Sequence, residues 1–169
     1  MDQALFDVVS ILTDYRSVRA FDCRAEVRLG DGLTIYGLHA EPSIDSYEVS
    51  SSEGQVVASY VASRGLVYDG GETFPYDPRG VVWRALPARL AFPLELPIWG
   101  RPDDSHRLDA AEMQNDGRIL VALAPNRDRE GRGRLVVDPA LKLVTEFDLP
   151  NLEIRYRDVE PGRGRLLVF

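Results

Sequence analysis

The sequence predicts a mostly β protein of the α+β kind, a curved antiparallel sheet wrapping an N-terminal helix. Three observations carry this. Apolar residues recur at helical spacing near the N-terminus, alternate with polar ones over Phe21–Leu29, and then form short runs separated by Gly, Asn, Asp and Pro. Strands spaced so closely leave no room for crossover helices, so neighbours pair antiparallel.

Ala4 to Tyr15 reads as the helix. Leu5, Val8, Val9 and Leu12 fall on one face, with Asp7, Ser10 and Asp14 opposite, and Asp2 is placed to cap the first turn. From Phe21 to Leu29 the odd positions (Phe21, Cys23, Ala25, Val27, Leu29) are apolar and the even ones (Asp22, Arg24, Glu26, Arg28) charged. That is a strand with one face in a core and one in water. Gly30-Asp31-Gly32 turns it into Leu33–Ala40. Tyr47–Ser50, Gln55–Ala62 and Leu66–Tyr68 follow as strands, and Asp69-Gly70-Gly71 leads into a loop that reaches a strand at Val81–Trp83. Arg107–Gln114 and Arg118–Ala124 flank Asn115-Asp116-Gly117, a hairpin reading preferred to a helix capped by Asp104. The last third reads as a meander of Arg134–Val137, Lys142–Leu149, Leu152–Tyr156 and Leu166–Phe169. At least seven strands should thus curl around the one helix whose apolar face needs a partner.

A chain of 169 residues fits a single domain, 1–169, that buries roughly 70% of its unfolded surface. A formal charge of −7 disfavours nucleic acid and anionic lipid as partners, and no run approaches the ~20 apolar residues of a membrane span. The N-terminus lacks a basic and then unbroken apolar leader, so the chain as written reads as cytoplasmic, exported only if a leader had been removed. Cys23 is the sole cysteine. An internal disulfide is excluded, and neither a metal nor a cofactor is expected.

Ala85 to Pro102 is irregular. Pro87, Pro93, Pro97 and Pro102 interrupt Leu86, Leu90, Phe92, Leu94, Leu96, Ile98 and Trp99, which blocks both a central strand and a long helix. A short helix from Pro87 to Phe92 fits, and the remainder is an apolar crossing. This order of parts resembles the half-barrel proteins of the LolA/LppX type. Asp14–Phe21 looks like that family's passage from helix to first strand, and Arg134–Pro139 with Leu143–Phe147 like its late hairpin. The resemblance implies an incomplete antiparallel barrel whose concave apolar face is covered by helices and holds lipids or acyl chains.

Chemistry-bearing motifs are scarce. The two histidines, His39 and His106, stand in no metal-ligand spacing, and Gly-x-Ser-x-Gly and phosphate-loop patterns are absent. A three-residue first hairpin loop would set Cys23 opposite His39 and could activate the thiol, whereas a two-residue loop sets it with Tyr36, Leu38 and Ala40. Asp103-Asp104-Ser105-His106 reads as a solvated turn rather than an assembled triad, and Asp109 with Glu112 as surface charge. The repeated Gly-Arg-Gly-Arg-Leu of 131–135 and 162–166 reads as loops feeding edge strands. Tyr36, Tyr60, Phe92, Leu96, Trp99 and Phe147 are the candidates for lining a cavity. The function expected is a non-enzymatic binding module for a hydrophobic small molecule, an acyl chain or a partner's apolar segment. Two alternatives stand beside it: an acidic interaction protein of the inhibitor or immunity type, and a cofactor-free enzyme using the barrel interior.

Overall fold

The structure, a computed structural model, describes residues 2–77, 84–127 and 131–167. Helix α1 (Gln3–Thr13) is capped by Asp2, whose carboxylate accepts from the Ala4 N–H. A 3₁₀ turn, Tyr15–Ser17, then leads into β1 (Phe21–Leu29) and β2 (Gly32–Glu41). Next come β3 (Ser46–Ser50), β4 (Val56–Val61), β5 (Leu66–Asp69) and β6 (Glu72–Pro75). After the apolar crossing come β7 (His106–Met113), β8 (Ile119–Pro125), β9 (Gly133–Asp138), β10 (Leu143–Leu149) and β11 (Leu152–Pro161).

The eleven strands of the described residues form one antiparallel, curved, unclosed sheet in the order β6-β5-β4-β3-β2-β1-β11-β10-β9-β8-β7. It is an open half-barrel. Two meanders, β1–β6 and β7–β11, are joined through the pairing of the first strand with the last. Among the described residues the free edges are therefore β6 and β7, which are consecutive in sequence but opposite in space. Whatever links them must travel from one edge to the other, and the apolar side chains of Leu86–Trp99 make the concave face the favourable route. Helix α1 packs on β7, β8 and β10, and the 3₁₀ helix Leu86–Ala91 packs on β1, β2, β3, β10 and β11. Between these covers and the sheet lies the core, with Leu12, Leu90, Phe92, Leu96, Ile98, Leu123, Leu135, Phe147 and Ile154 essentially out of water. Each large side chain so buried contributes about 1.5–3 kcal/mol.

Several expectations need correcting. The loop after Gly71 is a strand, β6: its few residues, ending at Pro75, give too short an alternation to stand out, but pairing with β5 fixes it. Tyr15 belongs to a 3₁₀ turn, because helix α1 ends at Thr13 with Asp14 as its C-cap. The strand expected over Leu166–Phe169 is not formed at Leu166 or Leu167, where the tail is held by side chains instead of a ladder; Val168 and Phe169 lie outside the described residues, as does the strand expected at Val81–Trp83. The first Gly-Arg repeat feeds β9, an interior strand, and the second forms the tail beyond β11. Asp104 and His106 are buried rather than solvated.

Candidate functional site

The register aligns one rung of inward-facing side chains across half the sheet. Phe21 pairs with Ala40, Ala40 with Tyr47, Tyr47 with Tyr60, Tyr60 with Val67, and Val67 with Phe74. Directly opposed residues in antiparallel strands point to the same face, so alternation along each strand becomes a continuous apolar wall across the strands. Between this wall and the start of the crossing lies a hollow of about 440 Å³. Tyr36, Tyr47, Val57, Val67 and Phe74 line it from the sheet, and Leu86 from the crossing. Its size falls within the roughly 300–1,000 Å³ of small-molecule sites.

The crossing is fastened by polar groups reaching up from the sheet. The Tyr156 hydroxyl, fully buried, donates to the Pro87 carbonyl (2.8 Å) and accepts from the Ala91 N–H (3.2 Å). The Tyr47 hydroxyl accepts from the Ala85 N–H (3.1 Å). Burial pushes the pKa of both phenols up, and most strongly that of Tyr156. Arg84 is nearly buried, donating to Asp45 Oδ1 and Glu95 Oε1 at 2.7 Å each. Its guanidinium carbon lies 3.8 Å from the Phe92 ring centroid, a cation–π contact that two carboxylates complement. One rim of the hollow is thus a rigid, hydrogen-bonded bridge.

Of the six residues expected to line a cavity, Tyr36 lies in the wall of this hollow. Tyr60 shares the rung, with its ring 5.0 Å from that of Tyr76. Phe92 is buried behind Tyr47, their ring centroids 5.9 Å apart, and Leu96 and Phe147 are buried in the core. Trp99 is half-buried and donates its indole N–H to the Pro93 carbonyl at 3.0 Å. Tyr47, Val67 and Phe74 were not among the candidates. Tyr47 and Val49 do alternate with Glu48 and Ser50, so that much was present in the pattern; Val67 and Phe74 sit in strands of only four residues.

The remaining chemical candidates resolve as structure. The first hairpin has a two-residue loop, with Leu29 facing Gly32, so Cys23 opposes Leu38 and not His39. The buried thiol is pushed up to about 12 by desolvation first and the neighbouring Asp22 charge second, which makes it a poor nucleophile. His39 lies on the other face, where Nδ1 meets Asp22 at 2.9 Å and Nε2 meets Glu41 at 3.0 Å. Glu41 Oε1 also accepts the backbone N–H groups of Arg165 and Leu166, pinning the tail to β2. Asp104 turns its carboxylate to the backbone N–H groups of Trp99 and Arg101, while His106 bonds Ser105 Oγ and the Gly131 carbonyl. The adjacent acid, hydroxyl and imidazole therefore do not converge on one reacting atom. Among the described residues no group of His, Cys, Asp and Glu is arranged to hold a metal, and no helix is long and apolar enough to cross a membrane.

No protein-family model and no curated protein matches the chain. Solved structures do. MucB in its complex with MucA from Pseudomonas aeruginosa aligns over 96% of this chain at 12% identity, with a TM-score of 0.53. The chain spans about 60% of the MucB length. An uncharacterised conserved protein from Thermus thermophilus aligns over 96% of this chain and 90% of its own, at 9% identity and a TM-score of 0.50. A LolA superfamily protein from Nitrosomonas europaea aligns over 94% of each chain at 12% identity with a TM-score of 0.34. Likeness at such identities concerns the fold alone.

Proposed function

We propose that this protein is a binding module that takes a hydrophobic molecule, or an apolar segment of a partner protein, into the hollow between β2–β6 and the crossing. The carrying observation is the hollow itself. Its wall is mainly apolar with Asp69 at one side, its rim is fixed by Arg84, Tyr47 and Tyr156, and it stays open while the core beside it is closed. Burial of apolar surface supplies the affinity, at about 25 cal/mol per Å², and the tyrosines supply large contact area with few rotatable bonds. MucB, similar in fold over part of its length, is found in complex with MucA, which supports a partner segment as one class of occupant. Of the six candidate residues, Tyr36 meets the occupant directly in this reading; Tyr60, Phe92, Leu96, Trp99 and Phe147 hold the wall and cover in place.

Titration with the uncharged dye Nile red tests the proposal. The parent protein should bind it in a saturable way, and Tyr36→Ala should weaken binding about tenfold while leaving the urea midpoint nearly unchanged, because Tyr36 is only half-buried. Native mass spectrometry of protein purified from its own host should show a retained apolar molecule or peptide. Dye binding that is absent, or indifferent to Tyr36→Ala, would sink the proposal.

A further inference from the structure

The sheet forks between β10 and β11. These strands pair only from Glu146 opposite Arg155 to Leu149 opposite Leu152. Beyond that point β11 stays with β1 as far as Pro161 opposite Phe21, while Leu143 and Val144 of β10 stay with β9. The divergence has a local cause. The β1–β11 register slips between Asp22 and Arg24, and Asp158 sits in the left-handed region at φ 54°. A bulge of this kind bends its strand away from the neighbour.

A cleft of about 470 Å³ occupies the mouth of the fork, on the far side of the sheet order from the hollow. Its apolar lining includes Val18, Phe21, Leu143 and Val159, and its charged groups are Arg19, Lys142 and Glu160. The two cations are unusually uncommitted for this protein. Most of its guanidinium groups are engaged by carboxylates, Arg155 by three of them. Arg19 is exposed and makes no hydrogen bond or ion pair among the described residues. Lys142, the only lysine in the chain, reaches Asp14 at 3.9 Å with both side chains more than half in water, a contact of little strength. On a molecule of formal charge −7, this cleft has an apolar floor and a net positive lining.

We propose that the fork is a second binding site, selective for the carboxylate head of a single-chain amphiphile such as a fatty acid. The chain lies on Val18, Phe21, Leu143 and Val159, and the carboxylate pairs with Arg19 and Lys142. The lining itself, Arg19 and Lys142 against Glu160, carries one net positive charge, which suits a monoanion able to take Lys142 from its weak contact with Asp14 just outside the cleft. A partly desolvated charge pair holds better than a surface one, so the head determines selectivity and the chain supplies affinity. This site stands apart from the hollow, and either can exist without the other.

The test compares dodecanoate with dodecanol, which share a chain and differ in charge, by calorimetric titration of the full chain. The parent should bind dodecanoate about tenfold more tightly than dodecanol. The double variant R19E/K142E, at two exposed positions that leave the core intact, should abolish that preference, and 0.5 M salt should reduce it. Tyr36→Ala should leave it untouched. Equal binding of the two probes by the parent, or a preference that survives R19E/K142E, overturns the proposal. A preference lost with Tyr36→Ala but kept in R19E/K142E also overturns it, moving the carboxylate to the hollow. If Nile red fails to bind while the dodecanoate preference holds, the hollow reading falls and the fork stands.

Discussion

Glu41 is the residue on which the tail depends. Burial alone would raise its pKa, but the N–H of Arg165, the His39 ring and the N–H of Leu166 together outweigh that and hold it below its ordinary value. A group whose folded pKa is depressed contributes stability above its unfolded pKa, near 4.3, and loses that contribution as pH falls through the lower folded value. The tail should therefore loosen on the acid side of pH 4 and not at neutral pH. Amide exchange at the Arg165 and Leu166 N–H groups, followed from pH 7 down to pH 3 and corrected for intrinsic rates, reads this out, while tryptic cleavage after Arg163 and Arg165 reports on the tail at pH 7. Glu41→Ala leaves the Arg165 and Leu166 N–H groups without their acceptor, the second of them buried, and should cost about 1–3 kcal/mol and expose both sites at pH 7. Equal cleavage rates in variant and parent would remove the tail-pinning role. None of this was visible in sequence, because Asp22, His39, Glu41 and Arg165 are brought together only by pairing and by the returning tail. Cys23 was different: its odd-numbered place in an alternating strand already marked it as inward, and it is buried.

At the scale of elements, the crossing from Leu86 to Trp99 differs most from regular structure. Its prolines deny it a ladder or a long helix, so its backbone groups must be satisfied from outside, and Tyr156 and Tyr47 do this from distant strands while Asp104 does it from the turn that follows. Tyr156→Phe keeps the packing while leaving the Ala91 N–H and the Pro87 carbonyl without their partner. It should cost about 1–3 kcal/mol in urea unfolding. Phe92→Ala removes a ring that is 1% exposed and stacked under Arg84, and should cost about 3–5 kcal/mol. A loss below about 1 kcal/mol for Phe92→Ala would mean that this side chain faces ligand space instead of core. The pattern announced an apolar irregular segment here and the short helix near Pro87, and the structure has a 3₁₀ helix at Leu86–Ala91. It could not name the fasteners, since a tyrosine in an alternating strand looks the same whether its hydroxyl is wet or bonded to a carbonyl 69 residues away.

For the molecule as a whole, the order of strands sets where it is firm and where it opens. β1, β2, β10 and β11 lie at the centre with neighbours on both sides, whereas β5 and β6 form a short hairpin at an edge. Amide exchange should be slowest in β1 and β11 and fastest in β5–β6, with the hollow's Val67 and Phe74 in the labile part. Uniform protection across all strands would contradict this ordering. The sequence by itself determined the helix, the inward face of β1, most strands and their antiparallel pairing, because period and turn chemistry act over a few residues. It also determined that Leu86–Trp99 would be apolar and irregular. Only the tertiary structure decided that β1 closes on β11, that β6 and β7 are the edges of the described sheet, and that the crossing must span the concave face between them. The hollow, the forked cleft and the Glu41 clamp share that origin. Each joins residues far apart in the chain, and the contacts that assemble them leave no periodic trace along it.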